Sequence, residues 1–333
     1  MESDNKLVRD IGERGLIERI KSFCAAGAIG DDGAILDFKA DRQLVVTTDV
    51  LVDGVHFSDR TTSGFDVGWR SAAANLSDLA AMGANPVGIT VGLSLPGETP
   101  VSWVDNLYRG MRGCLQQFDT PIVGGDLTRS QVITVAITAF GEVLPHRVIS
   151  RHNARVGDAI LITGYHGLSK AGLELLLDPA LGSALNSTEK EFLIKAHQRP
   201  QPRLDVVAKL REIAPDALVA GMDSSDGLAD AIAQICHCSK VGAAIDYRAM
   251  TQCPILSKLT TDSPVEEWIF NGGEDFELVL CLAPKLAREL LSDLGEGAAI
   301  IGEIKRESQI EIDNTQKKID LDLSKLKQGF QHF

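Results

Sequence analysis

The stretch Leu44–Phe57, LVVTTDVLVDGVHF, decides how the rest of the chain is read. Its β-branched apolar opening predicts a buried strand, because such side chains suit a pleated, packed surface. The apolar run then gives way. Thr48 and Asp49 fall at the expected strand end, and Asp53, Gly54 and His56 follow within one short loop. Hydroxyl, carboxylate and imidazole are delivered to one place, a strand-end loop of the kind that carries binding groups. A surface turn in which the two aspartates bond backbone amides accounts for the same residues.

Upstream, residues 11–24 carry Leu16, Ile17 and Ile20 at helical spacing, and Gly30-Asp31-Asp32-Gly33 before an apolar run reads as a tight turn or a metal loop. Downstream, Asp66 is the expected cap of a helix through GWRSAAANLSDLAAMG, on which Asn75 and Asp78 share a face at i and i+3. Val87–Leu95 reads as a strand. TPVSWVDNLYRGMRGCLQQF reads as a helix turning Trp103, Leu107, Met111 and Leu115 inward. Pro121–Asp126 reads as a short strand ending in two glycines and a carboxylate, and Val132–Val143 as another strand.

Polar, turn-rich Ser150–Asp158 reads as a linker. Beyond it strands and helices alternate: DAILITG, GLSKAGLELLL, PRLDVVAKLREIA with Pro202 in its first turn, and Ala217–Gly221 leading into Asp223-Ser224-Ser225-Asp226-Gly227. Gly272-Gly273-Glu274-Asp275 then precedes a further strand. The pattern predicts an α/β (α+β) protein of two domains, 1–148 and 149–333. The segment GYHGLSK, residues 164–170, follows a strand and opens a helix, but it lacks the spacing of a phosphate-binding P-loop.

Composition excludes several classes. With 333 residues, 44% hydrophobic, the chain can bury about two cores. No run approaches the roughly 18 apolar residues that span a bilayer. MESDNKLVRDIGERG mixes charges without an apolar signal region, so a soluble, cytoplasmic protein without an export route is expected. Six scattered cysteines form no CxxC pair and are expected to be reduced; in Cys236-His237-Cys238, side chains at i and i+2 diverge on a helix. A net charge of -13 argues against nucleic acid and anionic membranes as partners.

The recurring feature is acid after strand, beside glycine: Asp31 and Asp32, Asp49, Asp53, Asp78, Asp126, Asp223 and Asp226, Glu274 and Asp275. If several of these loops converge, their mutual repulsion requires cations. Oxygen donors without His or Cys suit hard divalent ions, Mg²⁺ above all, which share their coordination with substrate phosphates. An acidic protein can bind a polyphosphate through such ions.

Seven motifs stand in order along the chain: GDDGA (30–34), TTDVLVDGVHF (47–57), NLSDLAAMGA (75–84), GGD (124–126), DSSDG (223–227), GGEDFEL (272–278) and the terminal GFQHF. Together they resemble the thiamine-monophosphate kinase family, within the superfamily of aminoimidazole ribonucleotide synthetase and selenophosphate synthetase. The resemblance implies ATP-dependent phosphorylation of thiamine monophosphate to thiamine diphosphate by direct, Mg-assisted in-line transfer. It also implies several Mg²⁺ ions, and a homodimer whose N-terminal mixed sheets form a shared barrel, with a C-terminal α/β domain closing the cleft.

Position by position, it implies Asp31, Thr48, Asp49, Asp78, Asp126, Asp223 and Asp226 as magnesium ligands, with Asp78, Asp126 and Asp226 most critical. ATP contacts fall on Tyr108, Gly125, Asp126, Arg151 and Ser225, and substrate contacts on His56, Glu274 and Phe330. The chain departs from the family with GDDGA for GDDAA, DSSDG for DISDG or DLSDG, Phe330 for Tyr or Trp, and Leu168 where the loop often has Asp. No general base is expected, because a phosphate acceptor is already ionised at neutral pH. The rival readings are aminoimidazole ribonucleotide synthetase and a maturation scaffold working through a C-terminal cysteine; the VHF and GGEDFEL segments and the Gln-His-Phe ending count against them.

Overall fold

A computed structural model describes residues 6–26, 34–250, 252–260, 265–314 and 317–321. These fall into two compact units, one drawn from 1–79 and 85–143, the other from 80–84 and 144–333.

The first unit contains α1 (Val8–Ile20), β1 (Gln43–Val52), α2 (Gly64–Ala81), β2 (Asn85–Leu95), α3 (Val101–Leu115), β3 (Ile122–Arg129) and β4 (Thr134–Val143). Its sheet has the order β1-β4-β2-β3, with β4 antiparallel to both neighbours and β2 parallel to β3. Alternate residues supply the core face, Ile89, Val91 and Leu93 from β2 and Val135, Ile137 and Ala139 from β4, the period-two signature of a sheet covered on one side.

Two expectations are corrected. β1 does not end at Thr48 and Asp49 but pairs onward to Val52, with Thr48 opposite Thr138 and Asp49 opposite Ile137. Nor is it a buried strand: it is a sheet edge, and Leu44, Val46 and Val50 on its outer face are 52%, 53% and 45% exposed. Likewise Gly124, Gly125 and Asp126 lie inside β3 rather than at its end. Glycine is required there by close approach, since a Cβ on Gly125 would lie 2.2 Å from the Val91 carbonyl oxygen.

Ser63, not Asp66, caps α2: the Asp66 amide donates to Ser63 Oγ at 3.3 Å and the Ser63 hydroxyl donates to the Asp66 carboxylate at 2.5 Å. Leu107, Met111 and Leu115 of α3 are buried as expected, whereas Trp103 is only partly so. Helices α2 and α3 meet backbone to backbone at two glycines. A Cβ on Gly68 would sit 1.9 Å from the Leu107 carbonyl oxygen, and one on Gly110 would sit 1.8 Å from that of Phe65.

The second unit contains β5 (Ala159–Ile162), α4 (Leu168–Leu177), α5 (Ser187–Gln198), α6 (Leu204–Ile213), β6 (Ala220–Asp223), α7 (Leu228–Ser239), β7 (Gly242–Asp246), α8 (Val265–Asn271), β8 (Leu278–Leu282), α9 (Pro284–Asp293), β9 (Ala299–Lys305), β10 (Ile310–Asn314) and β11 (Lys317–Leu321). The sheet runs β11-β10-β7-β9-β5-β8-β6, mixed in direction. Every residue of β5 and β8 is buried, as uninterrupted apolar runs at the middle of a two-sided sheet require. Pro202 lies outside α6, whose cap is Arg203. Cys236 is buried in α7 and all six cysteines are free thiols.

One buried junction fixes the loop before β8. The Asp275 carboxylate accepts the amides of Gly167 at 2.6 Å and Ser169 at 2.8 Å, taking up the exposed N–H groups that open α4. The amides that a P-loop would present to phosphate are therefore held by a side chain of the protein. Leu168 is buried, so the carboxylate at this helix start comes from Asp275. Residues on either side of it, Glu274 at φ 67° and Phe276 at φ 52°, take left-handed backbone that side chains rarely adopt.

Two predictions follow from this packing. Gly110→Ala must separate α2 from α3 and is expected to cost about 3 kcal/mol in urea unfolding; a loss below ~0.5 kcal/mol would show that the helices can part freely. Burial pushes the Asp275 carboxyl up to about 7 from 3.8, against the amide bonds from Ser169 and Gly167. A raised folded-state pKa stabilises most below the unfolded value and loses that contribution as pH rises through the folded value. Between pH 4 and 7, wild type is therefore expected to lose stability relative to Asp275→Asn; a pH-independent difference in unfolding midpoint would refute the assignment.

Candidate functional site

In the first unit, strand alternation sorts the predicted ligands. Thr47, Asp49 and Leu51 share the side of β1 that faces α2. The Thr47 hydroxyl bonds the Asp78 carboxylate, and the Asp49 amide donates to Asn75 Oδ1 at 3.2 Å. Asn75, fully buried, donates in turn to the Ser71 carbonyl at 3.0 Å. The polar Asn-Asp pair on an alanine-rich helix is thus docked on the strand carrying Asp49, not solvated. Thr47, which sequence reading passed over as a strand residue, joins this group. Its signal was the doubled threonine, one of which must face inward.

Thr48 points the other way, 2.9 Å from the Thr138 hydroxyl. Asp126 is in register with Gly92 and lies on that outer face too, exposed. Because β1 and β3 are the opposite edges of the sheet, three strand spacings, ~14 Å, separate Asp126 from β1. His56 is held locally: its Nδ1 accepts the Val52 amide at 3.1 Å, which places the proton of the neutral ring on Nε2. Tyr108 is buried in α3 with its ring 5.8 Å from that of Phe23, and burial pushes its phenol well above the usual range.

In the second unit the loops 223–227 and 272–277 are laced together. The Ser224 amide donates to the Glu277 carbonyl at 2.8 Å, and the Glu274 amide to the Ser225 carbonyl at 2.7 Å. Gly273 permits this approach, since a Cβ there would lie 2.4 Å from the Ser225 oxygen. Ser225 Oγ donates to buried Asp223 at 2.9 Å, Asp226 is exposed in the same loop, and the backbone of Glu274 is joined to Ser225 between them. Arg151 reaches Gln234 of α7 at 2.6 Å.

Sequence reading also missed the support beneath. Glu277 accepts from the Thr163 hydroxyl and from Arg203, each at 2.6 Å, and Arg203 also bonds Asp205. Burial raises the Glu277 carboxyl, opposed by the charge of Arg203. Burial works against the Arg203 charge, and Glu277 with Asp205 more than offsets it.

Each unit therefore gathers part of the predicted set: Asp49 with Asp78, and Asp223, Ser225 and Asp226 with Glu274. Among the described residues no three of His, Cys, Asp and Glu form a metal-holding group on their own. Asp31 and Phe330 lie outside the described residues.

The AIR synthase related family matches the chain with its N-terminal domain over residues 30–143 and its C-terminal domain over 155–313. A thiamine-monophosphate kinase of Synechococcus elongatus is 48% identical over 335 residues, 99% of each chain. The crystal structure of thiamine-monophosphate kinase from Stenotrophomonas maltophilia superposes with a TM-score of 0.78 at 34% identity, covering 90% of this chain and 95% of that one. AaThiL complexed with AMPPCP and TMP gives a TM-score of 0.75 at 31% identity over 98% of both chains. With two α/β units and an end-to-end match to these relatives, the chain belongs to the thiamine-monophosphate kinase family, within the AIR synthase related proteins.

Proposed function

We infer that this protein transfers the terminal phosphoryl group of ATP to the phosphate of thiamine monophosphate, yielding ADP and thiamine diphosphate. The observation that carries the reading is the whole-length relation to a kinase solved with AMPPCP and TMP. The acceptor phosphate is its own nucleophile and is ionised at neutral pH, so the protein's task is positioning and charge neutralisation rather than proton abstraction.

The donor set fits Mg²⁺: Asp31, Thr48, Asp49, Asp78, Asp126, Asp223 and Asp226 offer hard oxygens only. Several such ions are implied by the family resemblance. Bound to these groups, Mg²⁺ supplies a template and a charge clamp for the phosphates. Arg151, Ser225, Gly125 and Tyr108 serve the ATP side of the reaction. His56, with its proton on Nε2, donates to the acceptor phosphate. Glu274 meets the cationic thiamine, and Phe330 stacks on it.

Residues 1–148 hold ATP and magnesium and make the dimer, and 149–333 form the domain that completes the site. The exposed Leu44, Val46 and Val50 on an edge strand support a homodimer, because a second copy would cover them. Six free thiols support a reducing, cytoplasmic setting; no described helix is long and apolar enough to cross a membrane.

The purified chain with Mg²⁺, ATP and thiamine monophosphate is expected to form thiamine diphosphate, measured by product chromatography, and to stop when the metal is chelated. ADP release that is equal with and without thiamine monophosphate would sink the assignment. Asp78→Asn is expected to lower kcat about 100-fold or more at an unchanged melting temperature; near-normal turnover would remove Asp78 from the machinery.

A further inference from the structure

We propose that His197 is a positioning residue that holds the Glu274 carboxylate in the orientation that receives thiamine monophosphate. The proposal rests on the reading of Glu274 as a substrate contact. His197 lies in the last turn of α5 and is 2% exposed, an unusual place for an imidazole unless the ring is used. Its Nδ1 is hydrogen-bonded to the Ser169 hydroxyl at 3.2 Å and lies 3.9 Å from Glu274 Oε2, an ion-pair distance for the protonated ring. The protonated ring donates from Nδ1 to Ser169 Oγ and presents its charge to the Glu274 carboxylate.

The ring has little freedom to move. Helices α4 and α5 cross at Gly172, where a Cβ would lie 2.1 Å from the Leu193 carbonyl oxygen and 3.0 Å from the His197 Cβ. Ser169, 1% exposed, is itself fixed by its amide bond to Asp275. Glu274 is therefore gripped from both ends. Its backbone is anchored to Ser225 by the 2.7 Å amide bond, and its side chain is drawn toward a buried ring on the other side. A glutamate has three rotatable side-chain bonds, and ordering it before the substrate arrives removes that cost from binding.

The test uses the full-length enzyme, with KM for thiamine monophosphate, KM for ATP, kcat and melting temperature measured together. His197→Ala, and His197→Phe as a variant that leaves no cavity, are expected to raise KM for thiamine monophosphate roughly three- to tenfold, the cost of re-ordering one long side chain. KM for ATP and kcat should stay within about twofold. His197→Gln, whose amide can still donate, is expected to restore most of the loss. Glu274→Gln combined with His197→Phe should be no worse than Glu274→Gln alone, because the two act as one unit.

A raised KM in Glu274→Gln beside an unchanged KM in both His197→Ala and His197→Phe would overturn the proposal and leave the substrate reading intact. So would additive effects in the double variant, or equal rises in both KM values with a lowered melting temperature. An unchanged KM in Glu274→Gln would overturn the substrate reading of Glu274, and this proposal with it.

Discussion

The carboxylate of Asp275, seated on the first amides of α4, is the interaction on which the second unit's site depends. It ties a loop with no regular structure of its own to a helix start, and it does so with one side chain taking two backbone donors. Because the group is buried, its charged form is costly, and the helix amides are what make the position tolerable. With Asp275 fixed, Glu274 before it and Glu277 two residues after it are fixed as well, the first toward α5 and the second onto Arg203 and Thr163. The lacing to Ser224 and Ser225 then brings the acidic loop beside them. A chain of short-range bonds thus ties the 223–227 loop and the 272–277 loop to one helix start.

The first unit solves the same problem with backbone contact instead of charge. Gly68 and Gly110 let α2 and α3 meet without intervening side chains, and Gly125 lets β3 close on β2. Close packing of this kind leaves few alternative arrangements. It therefore fixes where the polar face of α2 falls, against Thr47 and Asp49 rather than in water. The Thr47 hydroxyl orients the Asp78 carboxylate without neutralising it, and Asn75 holds the backbone of Asp49 beside it.

What the sequence made legible follows from period and composition. The α/β alternation, the apolar strands β5 and β8, the α2 face carrying Asn75 and Asp78, and the acids of the 223–227 and 272–275 segments all carry local signals. What it hid required knowledge of neighbours. Thr48 and Asp49 look like a strand end because polar residues interrupt an apolar run, yet an edge strand tolerates them on either face and pairs onward to Val52. Gly124-Gly125 looks like a loop until the Val91 backbone is placed beside it. Glu277 and Arg203, 74 residues apart, become a pair only when β8 and the start of α6 are brought together. Asp275 as a cap for α4 is likewise invisible, because the Ser169 amide it takes lies 106 residues before it.

The placement of backbone strain shows which of these constraints serve structure and which serve chemistry. Gly272 and Gly273 precede Glu274, yet neither takes positive φ; the left-handed positions fall on Glu274 and Phe276. Glycine is needed at 272 and 273 for another reason, since a Cβ would meet the Trp268 carbonyl at 2.3 Å or the Ser225 carbonyl at 2.4 Å. A side chain held in left-handed backbone costs on the order of 1 kcal/mol, which glycine at 274 would avoid. Fold stability alone therefore favours glycine at this position, and the glutamate has to be accounted for by what its carboxylate does. Phe276, 6% exposed, is accounted for by burial. Glu274 keeps 35% of its side chain exposed, so burial accounts for it less fully. Its carboxylate lies 3.9 Å from the buried His197 ring, while its backbone amide is bonded to Ser225 in the Asp223–Asp226 loop.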